Sequence, residues 1–288
     1  MRFWRRLLDR EKGDKTTHPP SGYPIPTLPQ MEDPLDIGQR SDIGKTRRAN
    51  EDSYLTLKSV IGIEPEPIPV GILIVADGMG GHEKGKEASA LATRVASGVI
   101  VREALLPLLT SLSSDFASRP VHEILTEATA AANQAVSDMA SDAGTTLTSA
   151  LVVGHSVYVA HVGDTRVYYL DGSGLHQITQ DHSLVNRLVE LGQISAREAQ
   201  EHPQRNFLYR AVGQGNDLKV DTHFQHLAAD SYLILCSDGL WNSVSEEEMV
   251  QTIRSSDSPQ VACNRLIDMA NEHGGSDNIT LVLARINY

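Results

Sequence analysis

The sequence is short of cysteine, of long apolar runs and of positive charge, and each shortage excludes a class of protein. Cys236 and Cys263 are its only cysteines, and no Cys-x-x-Cys pair occurs, so neither a disulfide framework nor a structural zinc site is indicated. No stretch reaches the ~18 consecutive apolar residues of a membrane span, and the Arg-rich start lacks the apolar run of a signal peptide.

The balance of charge is acidic. The chain has 25 Lys+Arg against 37 Asp+Glu, a formal net charge of −12, which is opposite in sign to that of a general nucleic-acid-binding protein. Together with the missing signal and membrane segments, this composition leads us to expect a cytoplasmic protein with no nucleic-acid partner.

The first part of the chain differs in composition from the rest. Residues 1–15 are locally basic, and residues 19–34 contain six of the 13 prolines. Prolines at this density favour an extended chain over helix or sheet. We predict a disordered, basic and Pro-rich linker over residues 1–35, followed by one folded domain over residues 36–288.

Apolar periodicity within the predicted domain indicates both helices and strands. Residues 86–109, 121–139, 245–253 and 259–271 have helical spacing, and strand-length runs cover residues 70–76, 146–153, 157–162, 166–170, 232–236 and 278–286. The three runs between residues 146 and 170 are typical of an antiparallel meander. Because strands and helices come in blocks, the pattern favours an α+β fold with antiparallel sheets over alternating βαβ units.

Four aspartates stand next to strand patterns: Asp77, Asp164, Asp238 and Asp277. Any one Asp-Gly pair is typical of a turn. If several of these carboxylates meet at one end of a sheet, however, each pair 4 Å apart repels by ~4 kcal/mol at an effective dielectric constant of ~20. Oxygen ligands without His or Cys partners favour Mg²⁺ or Mn²⁺ over Zn²⁺. The sequence therefore predicts a cation site formed by these side chains.

Upstream of these aspartates, a charged segment precedes a strand pattern. It contains Arg47, Arg48, Glu51 and Asp52. One interpretation is a solvated charge run. The other gives Glu51 and Asp52 to a metal ion and an arginine to an anion, since a guanidinium fork matches two phosphate oxygens.

Seven short segments now form a recognisable set. They are Arg47-x-x-Asn-Glu-Asp52, Val75-Ala-Asp-Gly-Met-Gly-Gly-His82, Gly144-Thr-Thr-Leu, Ala160-His-Val-Gly-Asp-Thr-Arg166, Thr179-Gln-Asp-His-Ser183, Cys236-Ser-Asp-Gly-Leu-Trp241 and Gly275-Ser-Asp-Asn278. In this order, from about residue 36 to the end of the chain, the set resembles the type 2C metal-dependent serine/threonine protein phosphatases in their bacterial form.

The resemblance implies a β-sandwich of two antiparallel sheets flanked by helix pairs, and hydrolysis of phosphoserine or phosphothreonine by a water between two Mn²⁺ or Mg²⁺ ions. It implies that Arg47, Asp77 and Asp238 are catalytic and that Arg47 binds phosphate. It implies that the polar insertion over about 181–215 is the flap beside the active site. Phosphoproteins are the expected substrates and a Ser/Thr kinase a possible partner, and we expect a monomer. The implied metal ligands, with Asp164 serving a third ion, are Glu51, Asp52, Asp77, the Gly78 carbonyl, Asp164, Asp238 and Asp277.

One position of the chain departs from the pattern of this family. Some members carry His directly after Asp-Gly as general acid, where this chain has Met79, which cannot donate a proton. His82 could serve through water or could be an ordinary loop residue.

Two other functions are alternatives to a phosphatase. Residues 80–87 nearly match a nucleotide-binding loop, but Glu87 replaces its hydroxyl residue. A catalytically inactive, phosphatase-like binding module is the remaining alternative, although every implied ligand is intact.

Overall fold

The structure, a computed structural model, describes residues 33–62, 67–79, 83–110, 119–139, 143–215 and 217–287. The linker predicted over residues 1–35 lies almost wholly outside these residues. Within them, no helix combines the length and the apolar character needed to cross a bilayer.

The described strands pair in two antiparallel sheets. In chain order they are β1 (Leu35–Asp42), β2 (Asp52–Ile61), β3 (Ile68–Met79), β4 (Gly144–Thr145), β5 (Leu147–Val153), β6 (Ser156–Val162), β7 (Arg166–Asp171), β8 (Gly174–Gln177), β9 (Asp221–His226), β10 (Ser231–Cys236) and β11 (Ile279–Ile286). One sheet has the order β1-β11-β10-β7-β8, and the other has the order β2-β3-β5-β6-β9, with β4 paired to β3.

Helices cover the outer faces of both sheets, and two further short helices lie in the long connection between β8 and β9. In chain order the helices are α1 (Glu83–Ile100), α2 (Leu106–Thr110), α3 (Val121–Met139), α4 (Leu184–Glu190), α5 (Ala196–Glu201), α6 (Asp238–Trp241), α7 (Glu246–Arg254) and α8 (Pro259–Glu272), and a π-helical turn, Val101–Leu105, joins α1 to α2. Their starts follow local sequence signals: Ser245 and Glu248 form a capping box at α7, and Ser258 caps α8 with Pro259 in its first turn.

Apolar side chains form three cores that hold four layers together. One lies between the second sheet and helices α1 and α3, and another lies between the first sheet and helices α6 to α8. The third lies between the two sheets, where Leu73 and Val75 of β3 meet Leu233 and Leu235 of β10. This α-β-β-α arrangement confirms the predicted fold class.

The predicted meander is wrong in one respect. β5 and β6 form a hairpin in the second sheet, but β7 pairs with β10 and β8 in the first. The chain therefore crosses between the sheets at residues 163–165. Gly163 permits this crossing, because it has φ +115° and an added Cβ would lie 2.5 Å from the Thr146 side chain.

His161 and Cys236 are structural residues. His161 is fully buried: its Nδ1 lies 2.9 Å from the Thr148 hydroxyl and its Nε2 lies 3.1 Å from the Gln180 carbonyl. The carbonyl can only accept, so Nε2 carries a proton, and burial keeps the ring as a whole neutral. Burial lowers the pKa of His161 to about 3. Burial also raises the pKa of the Cys236 thiol to about 12, which suits a core residue.

The neutral state of His161 makes stability depend on pH. The unfolded chain binds a proton as the pH falls below about 6.5, whereas the folded chain does not until the pH approaches 3. We therefore expect His161→Gln to reduce the loss of unfolding free energy between pH 6.5 and pH 5, measured by urea unfolding at each pH. The exposed His122 of α3 supplies the control, since His122→Gln should leave the slope unchanged. If the free energy of unfolding of His161→Gln falls with decreasing pH as steeply as that of the wild type, this account is contradicted.

Candidate metal centre

Two carboxylates face each other across the β2–β3 pair. Asp52 at the start of β2 is the register partner of Asp77 near the end of β3. Like charges directly opposite in an antiparallel pair are destabilising. Backbone and hydroxyl groups fix both residues: Ser237 Oγ donates to Asp52 Oδ2 at 2.8 Å, and the Asp77 N–H donates to Thr146 Oγ1 at 2.8 Å.

Three more aspartates reach the same end of the sandwich from other strand ends. Asp164 lies in the crossing after β6, Asp238 begins α6 directly after β10, and Asp277 precedes β11. Strand register brings these ends together, because Cys236, the last residue of β10, pairs with Arg166 of β7 and with Leu281 of β11. We call Asp52, Asp77, Asp164, Asp238 and Asp277 the carboxylate cluster.

The carboxylates of the cluster act on one another electrostatically. Burial, followed by the charges of Asp52 and Asp238, raises the pKa of Asp77 well above its usual range. Burial and the charges of Asp164 and Asp277 do the same for Asp238. Burial also raises the pKa of Asp52 to about 6 and that of Asp164 to about 7. Without a compensating cation, the cluster favours bound protons.

The donor chemistry of the cluster fits a hard divalent cation. Asp52 Oδ1 and Asp238 Oδ1 are buried, and neither has a hydrogen-bond partner among the described residues. A buried oxygen without a partner bears its full desolvation cost. Carboxylate oxygens are the ligands that Mg²⁺ and Mn²⁺ prefer. A cation is the species that would satisfy both oxygens and the excess negative charge.

The side chains do not, however, stand in coordinating positions. Among the described residues, no three acidic, histidine or cysteine side chains are arranged so that they could hold a metal ion as they stand. Asp277 instead accepts a hydrogen bond from Arg47 Nη2 at 2.6 Å. Unneutralised carboxylates repel one another, and the arginine offers Asp277 a cationic partner. Metal binding would therefore require side-chain movement within the cluster.

Arg47 and Arg48 occupy similar surroundings but differ in their contacts. Both are exposed, and the Arg47 side chain retains 47% of its accessible surface. Arg47 reaches the cluster through Asp277, whereas no contact of Arg48 with the cluster is seen. Of the two arginines, Arg47 is therefore the one in contact with the cluster.

Glu51 and Gly78 lie at the first turn of α1. Glu51 is buried, and its carbonyl accepts from the Gly78 N–H at 3.1 Å. A Cβ at Gly85 would lie 2.0 Å from Glu51 Oε2, so glycine is needed where the carboxylate approaches the helix. Glu51 and Gly78 adjoin Asp52 and Asp77 in the sequence. In the structure, the Glu51 carboxylate packs against the first turn of α1.

Asn278 is a residue of the site that the sequence did not assign. Its Nδ2 donates to the carbonyls of Ile43 and Ala49, and its Oδ1 accepts from the Glu51 N–H at 2.8 Å. These bonds join the segment that carries Asp277 to the segment that carries Arg47. Its position directly after Asp277 was the available signal, but its partners lie more than 200 residues away.

The flap insertion, residues 181–215, forms one wall of a cavity beside the cluster. A bridge between Ser183 and Leu208 closes its base, and α4 and α5 lie within it. The cavity has a volume of about 760 Å³ and is lined on the other side by Asp238 and Asp277. This space is large enough for side chains of a peptide next to the cluster.

Met79, which directly follows Gly78, cannot donate a proton. Met79 ends β3 and is half-buried, and the Gln214 side-chain amide donates to its Sδ at 3.8 Å. His82, the candidate substitute, lies outside the described residues.

Comparisons with known proteins agree with this geometry. The profile of the family "Protein phosphatase 2C" matches residues 68–269. The serine/threonine phosphatase stp of Listeria innocua is 36% identical over 248 residues, which are 86% of this chain and 94% of that protein.

Two solved structures are similar along most of their length. The serine/threonine phosphatase PstP/Ppp of Mycobacterium tuberculosis has 32% identity and a TM-score of 0.73, with 88% of this chain and 99% of that chain covered. The catalytic domain of PstP in complex with two manganese ions has 30% identity and a TM-score of 0.71, with 88% and 99% covered. The chain belongs to the protein phosphatase 2C family and is a serine/threonine protein phosphatase.

Proposed function

We propose that the chain hydrolyses phosphoserine and phosphothreonine in proteins at the carboxylate cluster, with Mn²⁺ or Mg²⁺ bound there. The family is metal-dependent. The observation that carries the proposal is the pair of buried, unpartnered oxygens, Asp52 Oδ1 and Asp238 Oδ1, within a cluster whose charges oppose one another. An inactive binding module would have no use for so costly an arrangement.

The proposed ligand sets follow the positions of the carboxylates in the chain. Asp77 would serve both of two cations, Asp238 and Asp277 would serve one, and Glu51, Asp52 and the Gly78 carbonyl would serve the other, directly or through water. Asp164 and Asp238 would provide a third, weaker site. Support comes from the mutual effect of these aspartates on their pKa values and from the position of Asp52 opposite Asp77.

In this mechanism, the protein residues mainly position the phosphate and compensate its charge. Divalent cations, when held by these carboxylates, would lower the pKa of a water so that it can act as the nucleophile. Arg47 is exposed enough to leave Asp277 and offer its guanidinium fork to two phosphate oxygens. The cavity beside Asp238 and Asp277 accommodates the flanking peptide. No covalent phosphoenzyme is required, and the proton donor to the leaving group stays unassigned.

The proposed partners follow from this chemistry. Phosphoproteins are the substrates, so a Ser/Thr protein kinase must act before this enzyme on the same targets. We further propose that the catalytic domain comprises residues 36–288 and acts as a monomer.

Asp238→Asn should abolish phosphate release from a phosphothreonine peptide in the presence of Mn²⁺. The substitution keeps the shape of the side chain but removes a charged ligand. A loss of at least about 100-fold in kcat/KM is expected, with a circular dichroism spectrum like that of the wild type. Asp257→Asn, at an exposed position after α7, is the matched control and should retain activity. Normal turnover in Asp238→Asn would refute the assignment.

Arg47→Ala should raise KM for the phosphopeptide more than it lowers kcat. The reason is that the arginine binds phosphate already in the ground state. Steady-state kinetics of Arg47→Ala and its exposed neighbour Arg48→Ala give the comparison, and Arg48→Ala should resemble the wild type. A large decrease in kcat at constant KM would instead assign Arg47 to the transition state.

Deletion of residues 1–30 should leave kcat and KM for the phosphopeptide unchanged, because every proposed ligand lies in the domain over residues 36–288. A parallel assay of the full chain and the truncated chain tests this. Loss of activity in a truncated chain that folds normally would show that the first residues contribute to catalysis.

A further inference from the structure

Arg166, the first residue of β7, donates hydrogen bonds to neighbouring side chains from all three of its guanidinium nitrogens. Nε donates to Asp181 Oδ1 at 3.0 Å and Nη2 donates to Asp181 Oδ2 at 2.7 Å, which makes a two-point pair. Nη1 donates to the Tyr168 hydroxyl at 3.0 Å. Its Cζ lies 3.7 Å from the ring centroid of Trp241. One side chain thus joins β7, the start of the flap insertion and α6.

Trp241 continues this connection into the carboxylate cluster. Its indole Nε1 donates to the Asp164 carbonyl at 3.1 Å. Trp241 is also the last residue of α6, the four-residue helix that Asp238 begins. The ring on which Arg166 stacks therefore contacts the backbone of one carboxylate and shares a helical turn with another.

We propose that Arg166 is a positioning residue for the metal centre: by stacking on Trp241 while holding Asp181, it fixes Asp164 relative to Asp238 and thereby sets their affinity for a divalent cation. This inference rests on the metal-dependent function proposed above. Oxygen ligands of Mn²⁺ and Mg²⁺ must stand at about 2.0 to 2.2 Å with near-octahedral geometry, so small displacements of either carboxylate weaken binding.

Removal of Arg166 would have two opposite effects on cation binding. Loss of its contacts would weaken binding, whereas loss of its positive charge would strengthen it. The Asp181 side chain is 9% exposed and that of Arg166 is 20% exposed, so removal of the arginine would leave a nearly buried anion beside the cluster. That added negative charge would attract cations. Arg166→Lys avoids the difficulty, because it keeps the charge but loses the planar fork and the stacking on Trp241.

The chain provides its own probe of metal binding. It has two tryptophans, Trp4 and Trp241, so Trp4→Phe leaves Trp241 as the single indole, next to the cluster. Paramagnetic Mn²⁺ quenches a nearby indole, and a fluorescence titration with MnCl₂ in this background gives the affinity without any assay of activity. We expect Arg166→Lys to weaken Mn²⁺ binding by about 10-fold or more, with KM for the phosphopeptide at saturating Mn²⁺ unchanged.

The matched control is Arg285→Lys. Arg285 also pairs with an aspartate, Asp230, and lies 6.0 Å from an aromatic ring, that of Tyr232, but it stands at the opposite end of β11 from Asp277. The Arg285→Lys variant should bind Mn²⁺ with wild-type affinity. A purely structural role of Arg166 would lower the melting temperature of Arg166→Lys and leave its Mn²⁺ affinity unchanged, which overturns the proposal.

A second variant decides the question if Arg166→Lys does not fold. Trp241→Phe keeps an aromatic ring under the guanidinium but removes the N–H that holds the Asp164 carbonyl, and titration calorimetry should show weaker Mn²⁺ binding. Wild-type affinity in Trp241→Phe would overturn the proposal. A wild-type chain that binds Mn²⁺ but releases no phosphate would contradict the proposed function, while the binding data still decide the role of Arg166.

Discussion

The repulsion among five buried or half-buried aspartates is the constraint on which the rest of the site depends. Each strand end delivers one carboxylate to the same place, and burial raises the cost of every charge. Taking ionised carboxylates out of water costs several kcal/mol each unless a partner compensates. Burial of apolar side chains in the three cores beside the site opposes this cost.

The scaffold positions the carboxylates through strand register and short connections. β2 and β3 set Asp52 opposite Asp77, and the end of β10 leads directly into Asp238. Sites built on strand and helix ends are held more precisely than sites on free loops. A polar frame adds to this precision, since Asn278 ties together two segments that carry site residues, and Ser237 holds Asp52.

The flap insertion is connected to the cluster by side chains as well as by the cavity between them. Arg166 contacts Asp181 at its beginning and Trp241 beside the cluster. The Arg166–Asp181 pair also acts on Asp164. Burial raises the pKa of Asp164, the charge of Asp181 raises it further, and the charge of Arg166 lowers it. Arg166 and Asp181 therefore link the start of the segment over residues 181–215 physically to the cluster.

The sequence by itself determined the strands with continuous apolar runs, the helix Val121–Met139, and the motifs that carry the carboxylates. It missed β1 and β9, because both are edge strands with few apolar residues, and β9 alternates exposed with half-buried positions. Only the tertiary structure decided that β6 and β7 lie in different sheets, and which residues Asn278 and Arg166 contact. The reason is that strand pairing and side-chain partners join residues far apart in the chain, whereas local patterns record only the preferences of neighbours.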